Sequence, residues 1–465
     1  MSSDHQPTVT IAETLAKYVV GLKYEDLPKQ AIESAKALIV DQLACQLIGS
    51  TLPWVEPALK LVQMTEGVKP ESTVINYGSR FLVADVAFVN ATFGQACELD
   101  DSAAGSAGHL GVATIPVALA MGERDHIDGH QFLLAIIAGH EVMYRMLKAV
   151  TPHNIARGFH SQSIAGPFAG AVTAGKILGI DEAQMVHAFG IAGSHACGPT
   201  EYDQSGGEVK RIHAGLGARG GVHSALLAKF GLTGPRTIIE GKRGFCNIFA
   251  EHSEPALITE KLGETFGIIN TAYKMYPTVG GIHTAIGGVE ELVATHHIKS
   301  EQVDRIHVGL AKGALLHGAG IGKPYDVVSA QFSLAFSLAL TVAKGNNDLA
   351  HYMNPSLWND PEIVNLIKRV EAHADPAAVG DRHQLASVTI KLKDGRSLET
   401  VVPYRKGSPK NPVTKEERYA KVRTLSASVL APDDIERMIE TIEKIDTLDD
   451  VASLAKLLVK KGNSK

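Results

Sequence analysis

Behind Pro28 the apolar positions Ile32, Ala35, Ile39, Leu43 and Leu47 recur every three or four residues, and Gly49 ends the run. That period is one buried face of a helix, opened by a proline that a first turn tolerates. The same spacing predicts helices over Ala84–Cys97, Thr114–Glu123, Gly129–Lys148, Ile164–Leu178, Ala183–Ser194 and Gly215–Phe230. Alanine and glycine are abundant in these segments, so their axes can approach closely and a tight bundle is the packing they predict. The runs FLLAIIAG (132–139) and SLAFSLALTVA (333–343) are continuously apolar but shorter than the ~20 residues of a membrane span, and read as buried helices.

The pattern changes near residue 270. Gln302 to Leu310 alternates as a strand does, and Val388, Ile390 and Leu392 alternate again before Asp394-Gly395. Leu398, Thr400 and Val402 follow, and Asp-Gly between two alternating runs predicts a hairpin. Helical patterns lie at 281–295, 329–344 and 360–371. The breaker-rich GSPKNP (407–412) marks a linker, after which the chain reads as helical again, with Pro432-Asp433-Asp434 opening a helix over Ile435–Ile445. The reading is therefore mainly α. A large all-helical domain is formed by both chain ends, residues 1–270 and 407–465, and a smaller α+β lid domain by residues 271–406. The final KLLVKKGNSK reads as a frayed, solvated end.

Composition narrows the function. The 465 residues are 45% hydrophobic and 20% charged, with a net charge of −5, and no basic run suggests nucleic acid. Four scattered cysteines show no metal-binding spacing and read as reduced thiols, which with the absence of a signal pattern in MSSDHQPTVT points to a cytoplasmic protein. No membrane partner is expected. Gly215-Leu216-Gly217-Ala218-Arg219-Gly220 fits GxGxxG, but no strand precedes it, so the glycines read as helix-packing positions and no dinucleotide is expected. Gly139-His140-Glu141 lies within an apolar helix and reads as a structural His–Glu pair, and His296-His297 as exposed.

Three stretches carry candidate chemistry: CELDDSAAGSAGH (97–109), RGFHS (157–161) and VKRIHAG (209–215). The first places Glu98, Asp100 and Asp101 at the end of an apolar helix, before a loop too rich in small residues to hold itself in place. The bland alternative is that acidic residues cap the helix that starts near Gly111, which would account for one of the three. Crowded carboxylates repel one another and shift in pKa, which is costly unless used. His109 and His160 each precede a small-residue helix, where an N-terminus favours a bound anion. Lys210, Arg211 and His213 precede another, and Lys274 opens the second domain ahead of His283. Acids, imidazoles and cations in such surroundings suit proton transfer beside an anionic substrate.

At these residues the chain resembles the MmgE/PrpD family, which includes 2-methylcitrate dehydratase, cis-aconitate decarboxylase and iminodisuccinate epimerase. CELDD…H, GFH…GPFAGA, VKRIHAG, TGPRTIIEGKRGF, K.YP…H and the Asp-Gly hairpin occur in family order over nearly the whole length. The resemblance implies a cofactor-independent lyase with no metal, acting on a small di- or tricarboxylate through a carbanion next to a carboxylate. Dehydration and decarboxylation of a methylcitrate- or aconitate-like acid are its two forms, an epimerase of an iminodisuccinate-like acid is the alternative, and a catalytically silent carboxylate-binding protein is a third. It also implies a homodimer. By the resemblance His109, His160, Asp100, Asp101 and Lys210 are catalytic, and Glu98, Ser102, Arg157, Arg211, His213, Lys274 and His283 bind substrate. The interval from the last acid to His109 is similar to that of fungal cis-aconitate decarboxylases. Ala103, Val279 and Phe336 depart from the pattern: a family His often follows the acids, Val279 stands where the animal decarboxylase has His, and Phe336 where decarboxylases have Tyr.

Overall fold

Helices form where the three-to-four spacing places them. Lys29–Gly49 (α1) begins directly behind Pro28, which occupies its N-cap. Val83–Gln95 (α2), Gly111–Asp125 (α3), Gly129–Val150 (α4), Ser161–Leu178 (α5), Glu182–His195 (α6) and His213–Lys229 (α7) follow. Asp128 with Gln131 and Asp181 with Gln184 form capping boxes that start α4 and α6. The structure, a computed structural model, describes residues 9–65, 67, 69–202, 206–318, 320–380 and 384–462.

The chain folds into two compact units. The first takes the described residues of 1–202, 208–271 and 415–465. Its interior is α5 against α7, and glycines set that distance: Gly166 lies beside Gly217, and Gly170 beside Gly221. The GxGxxG stretch is thus a helix-packing surface, as its sequence context predicts. The helices Lys415–Ser426 and Pro432–Glu443, from the far end of the chain, both pack on α1.

The second unit takes the described residues of 203–207 and 272–414. Its four-stranded sheet consists of Val303–Leu310 (β1), Val370–Ala374 (β2), Ala386–Leu392 (β3) and Ser397–Val402 (β4), in the order β2-β1-β3-β4. β3 and β4 form the hairpin read from Asp394-Gly395, with Gly395 at φ +90°, a backbone conformation that glycine adopts without cost. The helix His283–His296 (α8) covers the sheet, and Phe336 is fully buried in this core, its ring edge-on to Tyr352 at 5.8 Å.

The structure corrects four expectations. The helix predicted over 360–371 ends at Ile367, and Val370–Ala374 pairs in parallel with β1. The helix predicted over 329–344 is two helices, Val327–Gln331 and Leu334–Lys344, because the Ser333 hydroxyl caps the second. Glu141 pairs with Arg145, not His140, whose buried ring nitrogens have no hydrogen-bond partner among the described residues. The chain end is not frayed through Leu458, which is buried and accepts a 2.8 Å hydrogen bond from the Asn76 amide; residues 463–465 lie outside the described set. Among the described residues no single helix is long and apolar enough to cross a membrane.

Candidate functional site

The acidic loop follows α2 and runs Glu98-Leu99-Asp100-Asp101, with all three carboxylates buried. Glu98 sits at φ +58°, a left-handed conformation that is strained for a residue with a side chain. It persists because the neighbouring carbonyls are captured. Trp54 Nε1 donates to the Ala96 carbonyl at 3.1 Å, and Arg211 donates to the same oxygen while its guanidinium lies 4.2 Å over the Trp54 ring. Glu98 itself pairs with the buried Lys210.

Asp101 is the acid that caps the next helix. Its carboxylate accepts from the Leu110 amide at 3.1 Å and the Gly111 amide at 3.1 and 3.2 Å. Asp100 does something else. His109 Nδ1 lies 3.2 Å from Asp100 Oδ2 and 2.7 Å from the Asp101 carbonyl oxygen. Both are acceptors, so Nδ1 carries a hydrogen, and Nε2 is the His109 nitrogen left to exchange a proton.

His160 occupies the N-cap of α5 but makes no cap bond with its side chain. Its Nδ1 instead faces His213 Nδ1 at 3.0 Å. His213 begins α7, directly after the short turn of Val209–Ile212 that carries Lys210 and Arg211. The His160 ring centroid is 5.2 Å from that of His213 and 6.2 Å from that of His109. Tyr202 closes this group, its ring edge-on to His160 at 5.9 Å and to His213 at 5.8 Å. Gly198 lets the 196–200 segment lie on the α5 N-terminus: the His160 amide donates to its carbonyl at 3.0 Å, and its φ is +93°.

Burial, then Lys210, His213 and His109, hold His160 well below its ordinary pKa of 6.5, and burial with Lys210 brings His213 down to about 4. Both imidazoles are therefore neutral near neutral pH. Burial, then the Asp100 charge, push Asp101 from 3.8 up to about 7. A neutral imidazole pair beside a cation and a crowded acid cluster can take a proton on one nitrogen and give one from another.

The first unit thus brings together Glu98, Asp100, Asp101, His109, His160, Lys210, Arg211 and His213 through the contacts above. Ser102 is half-buried at the loop's end, and Arg157 is exposed, one turn before His160. Lys274 and His283 are buried within the second unit, where the His283 ring stands edge-on to Tyr276 at 5.2 Å. Sequence reasoning missed Tyr202, Gly198 and Trp54, single residues in unremarkable stretches; the one local signal there is Gly198-Pro199, a turn dipeptide. Among the described residues no group of three or more His, Cys, Asp and Glu side chains is arranged to hold a metal ion.

The model of the MmgE/PrpD N-terminal domain matches residues 13–258, and that of the MmgE/PrpD C-terminal domain residues 276–447. The chain is 28% identical over 482 residues to the cis-aconitate decarboxylase-like protein oryM of Aspergillus oryzae, covering 98% of each. It is 28% identical to the cis-aconitate decarboxylase of Aspergillus terreus, covering 98% of this chain and 97% of that one. The cis-aconitate decarboxylase of Homo sapiens is 24% identical, over 97% of this chain and 94% of its own.

Proposed function

Because the chain belongs to the MmgE/PrpD family, we propose that it is a lyase on a small di- or tricarboxylate, removing CO2 from an aconitate-like acid or water from a methylcitrate-like hydroxy acid. The observation that carries the reading is the His160–His213 contact beside Lys210, in a relative of cis-aconitate decarboxylases that matches them end to end. Loss of CO2 breaks a carbon–carbon bond and leaves its electron pair on a carbon conjugated with a remaining carboxylate. That charge is poorly stabilised in water, and a fixed cation aimed at it can lower the barrier by several kcal/mol. Lys210 is the cation assigned this task, with Lys274 and His283 assigned to substrate binding, and Arg157, Arg211 and Ser102 as further substrate contacts. One imidazole N–H of the His160–His213 pair returns the proton to carbon. In a dehydration His109 Nε2 removes the proton, oriented by Asp100, and an imidazole N–H protonates the departing hydroxyl.

The same pair supports a second reading. Two nitrogens that can exchange proton-bearing roles are what an epimerase of an iminodisuccinate-like acid requires. The deciding experiment incubates the purified protein with citrate-, aconitate- and succinate-type acids and follows CO2 release and alkene products. Epimerisation in D2O instead puts deuterium into an unchanged skeleton, and saturable binding with no turnover of any acid would leave only a binding protein. The proposal includes cofactor-independent chemistry, a cytoplasmic location and a homodimer. Exhaustive dialysis against a chelator is expected to leave turnover unchanged, and sedimentation to give twice the chain mass.

A further inference from the structure

Lys421 lies on the helix Lys415–Ser426, which sequence spacing gives no chemical role. Its ammonium is nevertheless almost fully buried and reaches two partners in the first unit. Nζ is 2.8 Å from Asp41 Oδ1 on α1 and 2.9 Å from the carbonyl oxygen of Leu99. Leu99 is the residue between Glu98 and Asp100. Three successive captures therefore fix the loop: Ala96 by Trp54 and Arg211, Leu99 by Lys421, and Asp101 by His109. The middle one directly follows the left-handed turn at Glu98.

We infer that Lys421 is a positioning residue for the proposed reaction: it holds the Leu99 carbonyl so that Glu98 turns toward Lys210 and Asp100 toward His109. The inference rests on the functional reading above for its kinetic consequence, and on geometry alone for its structural one. The groups that face the Lys421 ammonium are Asp41 and Cys45 on α1 and Cys97 at the loop. Asp41 in turn feels Arg418 and Asp100. Burial alone would lower the Lys421 pKa, but Asp41, Cys45 and Cys97 outweigh it and raise it to about 12, so the ammonium keeps its charge. A permanent cation that donates to a main-chain carbonyl is suited to holding a strained turn in one conformation.

Removing Lys421 alone leaves Asp41 buried without its counter-charge, so a single variant can fail by unfolding. The informative protein is Lys421→Met/Asp41→Asn, which removes both charges. It is expected to keep the native circular dichroism spectrum and to lose at least tenfold in kcat on whichever acid the wild type turns over. KM is expected to stay within threefold. The second readout needs no substrate: 15N spectra of the histidines at alkaline pH, in which wild-type His109 is expected to hold its hydrogen on Nδ1. In the double variant this signature is expected to average toward a tautomer mixture. A folded double variant with an unchanged His109 signature overturns the inference, whatever the substrate. Wild-type kcat in that variant overturns it equally. If the wild type turns over none of the acids, the functional reading fails, and the 15N result alone decides the role of Lys421.

Discussion

His160 and His213 meet through their Nδ1 atoms at 3.0 Å. Two neutral imidazoles joined in this way cannot carry the same tautomer. One donates from Nδ1 and keeps a bare Nε2; the other accepts at Nδ1 and holds its hydrogen on Nε2. The pair thus presents one base and one acid at the same time. Moving the shared hydrogen across the 3.0 Å contact, with compensating transfers at Nε2, exchanges the roles. Burial beside Lys210 keeps this arrangement neutral, because a second positive charge is disfavoured there.

If the two imidazoles act as one device, their losses are not additive. His160→Gln and His213→Gln are each expected to lower kcat by ~10²–10⁴, and the double variant to be within about tenfold of the worse single one. Steady-state rates on the accepted acid check this. Losses that multiply would show two independent groups.

Asp101 gives a prediction with a definite sign. Its folded pKa is about 7 against an ordinary 3.8, raised first by burial and then by Asp100, with His109 and the Gly111 amide opposing and Asp41 adding to the rise. A group whose pKa is raised on folding contributes stability that is complete below its unfolded pKa and is lost as pH climbs through the folded value. The wild type therefore loses stability from this group between about pH 4 and pH 7, whereas Asp101→Asn does not titrate. The stability of the variant relative to the wild type is expected to rise by roughly 2–3 kcal/mol between pH 5 and pH 8. Thermal midpoints of both proteins at the two pH values measure it, and a pH-independent difference would contradict the raised pKa.

The helices of the first unit were legible because their apolar faces repeat without interruption, as from Ile32 to Leu47 and along α4. The β3–β4 hairpin was legible because Asp394-Gly395 both breaks the alternation and supplies the turn. Val370–Ala374 was not. Glu371, Ala372 and His373 are no strand signature; the segment is extended because its backbone pairs with β1, a tertiary effect invisible in local spacing. The site divides in the same way. His109, His160, Lys210 and the three acids stand in short, chemically dense stretches. Asp41 and Lys421 are single charges on ordinary helices, 380 residues apart in sequence, and only folding gives either a partner. The His140 reading failed for a related reason: adjacency in sequence puts His140 and Glu141 on different faces of α4, and the carboxylate turns to Arg145, one helical turn on.

Gly198 links backbone geometry to the imidazole pair. A Cβ there would stand 2.2 Å from Ser163 Oγ and 3.2 Å from His213 Cε1, at φ +93°. Gly198→Ala must move the 196–200 segment away from α5, which loosens the His160 amide's bond to the Gly198 carbonyl and displaces His213. The expected outcome is a loss of about 1–3 kcal/mol in stability and at least tenfold in kcat. Chemical unfolding and turnover together test it. A stability loss with wild-type kcat would detach this segment from the site.

The glycines of α7 and α5 make a last, graded prediction. A Cβ on Gly221 would lie 2.6 Å from the α-carbon of Gly170 and from the Ala171 amide nitrogen, all backbone atoms that cannot rotate aside. A Cβ on Gly166, across the same interface, would meet nothing nearer than 3.5 Å. Gly221→Ala is therefore expected to force the helices apart at a cost above about 2 kcal/mol, since overpacked cores typically lose about 1–3 kcal/mol. Gly166→Ala is expected to be neutral or to stabilise by up to about 1 kcal/mol, because alanine is the better helix former and its methyl would make only ordinary van der Waals contacts. Urea unfolding of the two variants compares them directly. Equal effects at both positions would mean that the GxGxxG stretch and its neighbours are not held to their helix spacing by close backbone approach. The case for reading those glycines as packing positions would then fall, and a ligand role for them would have to be reopened.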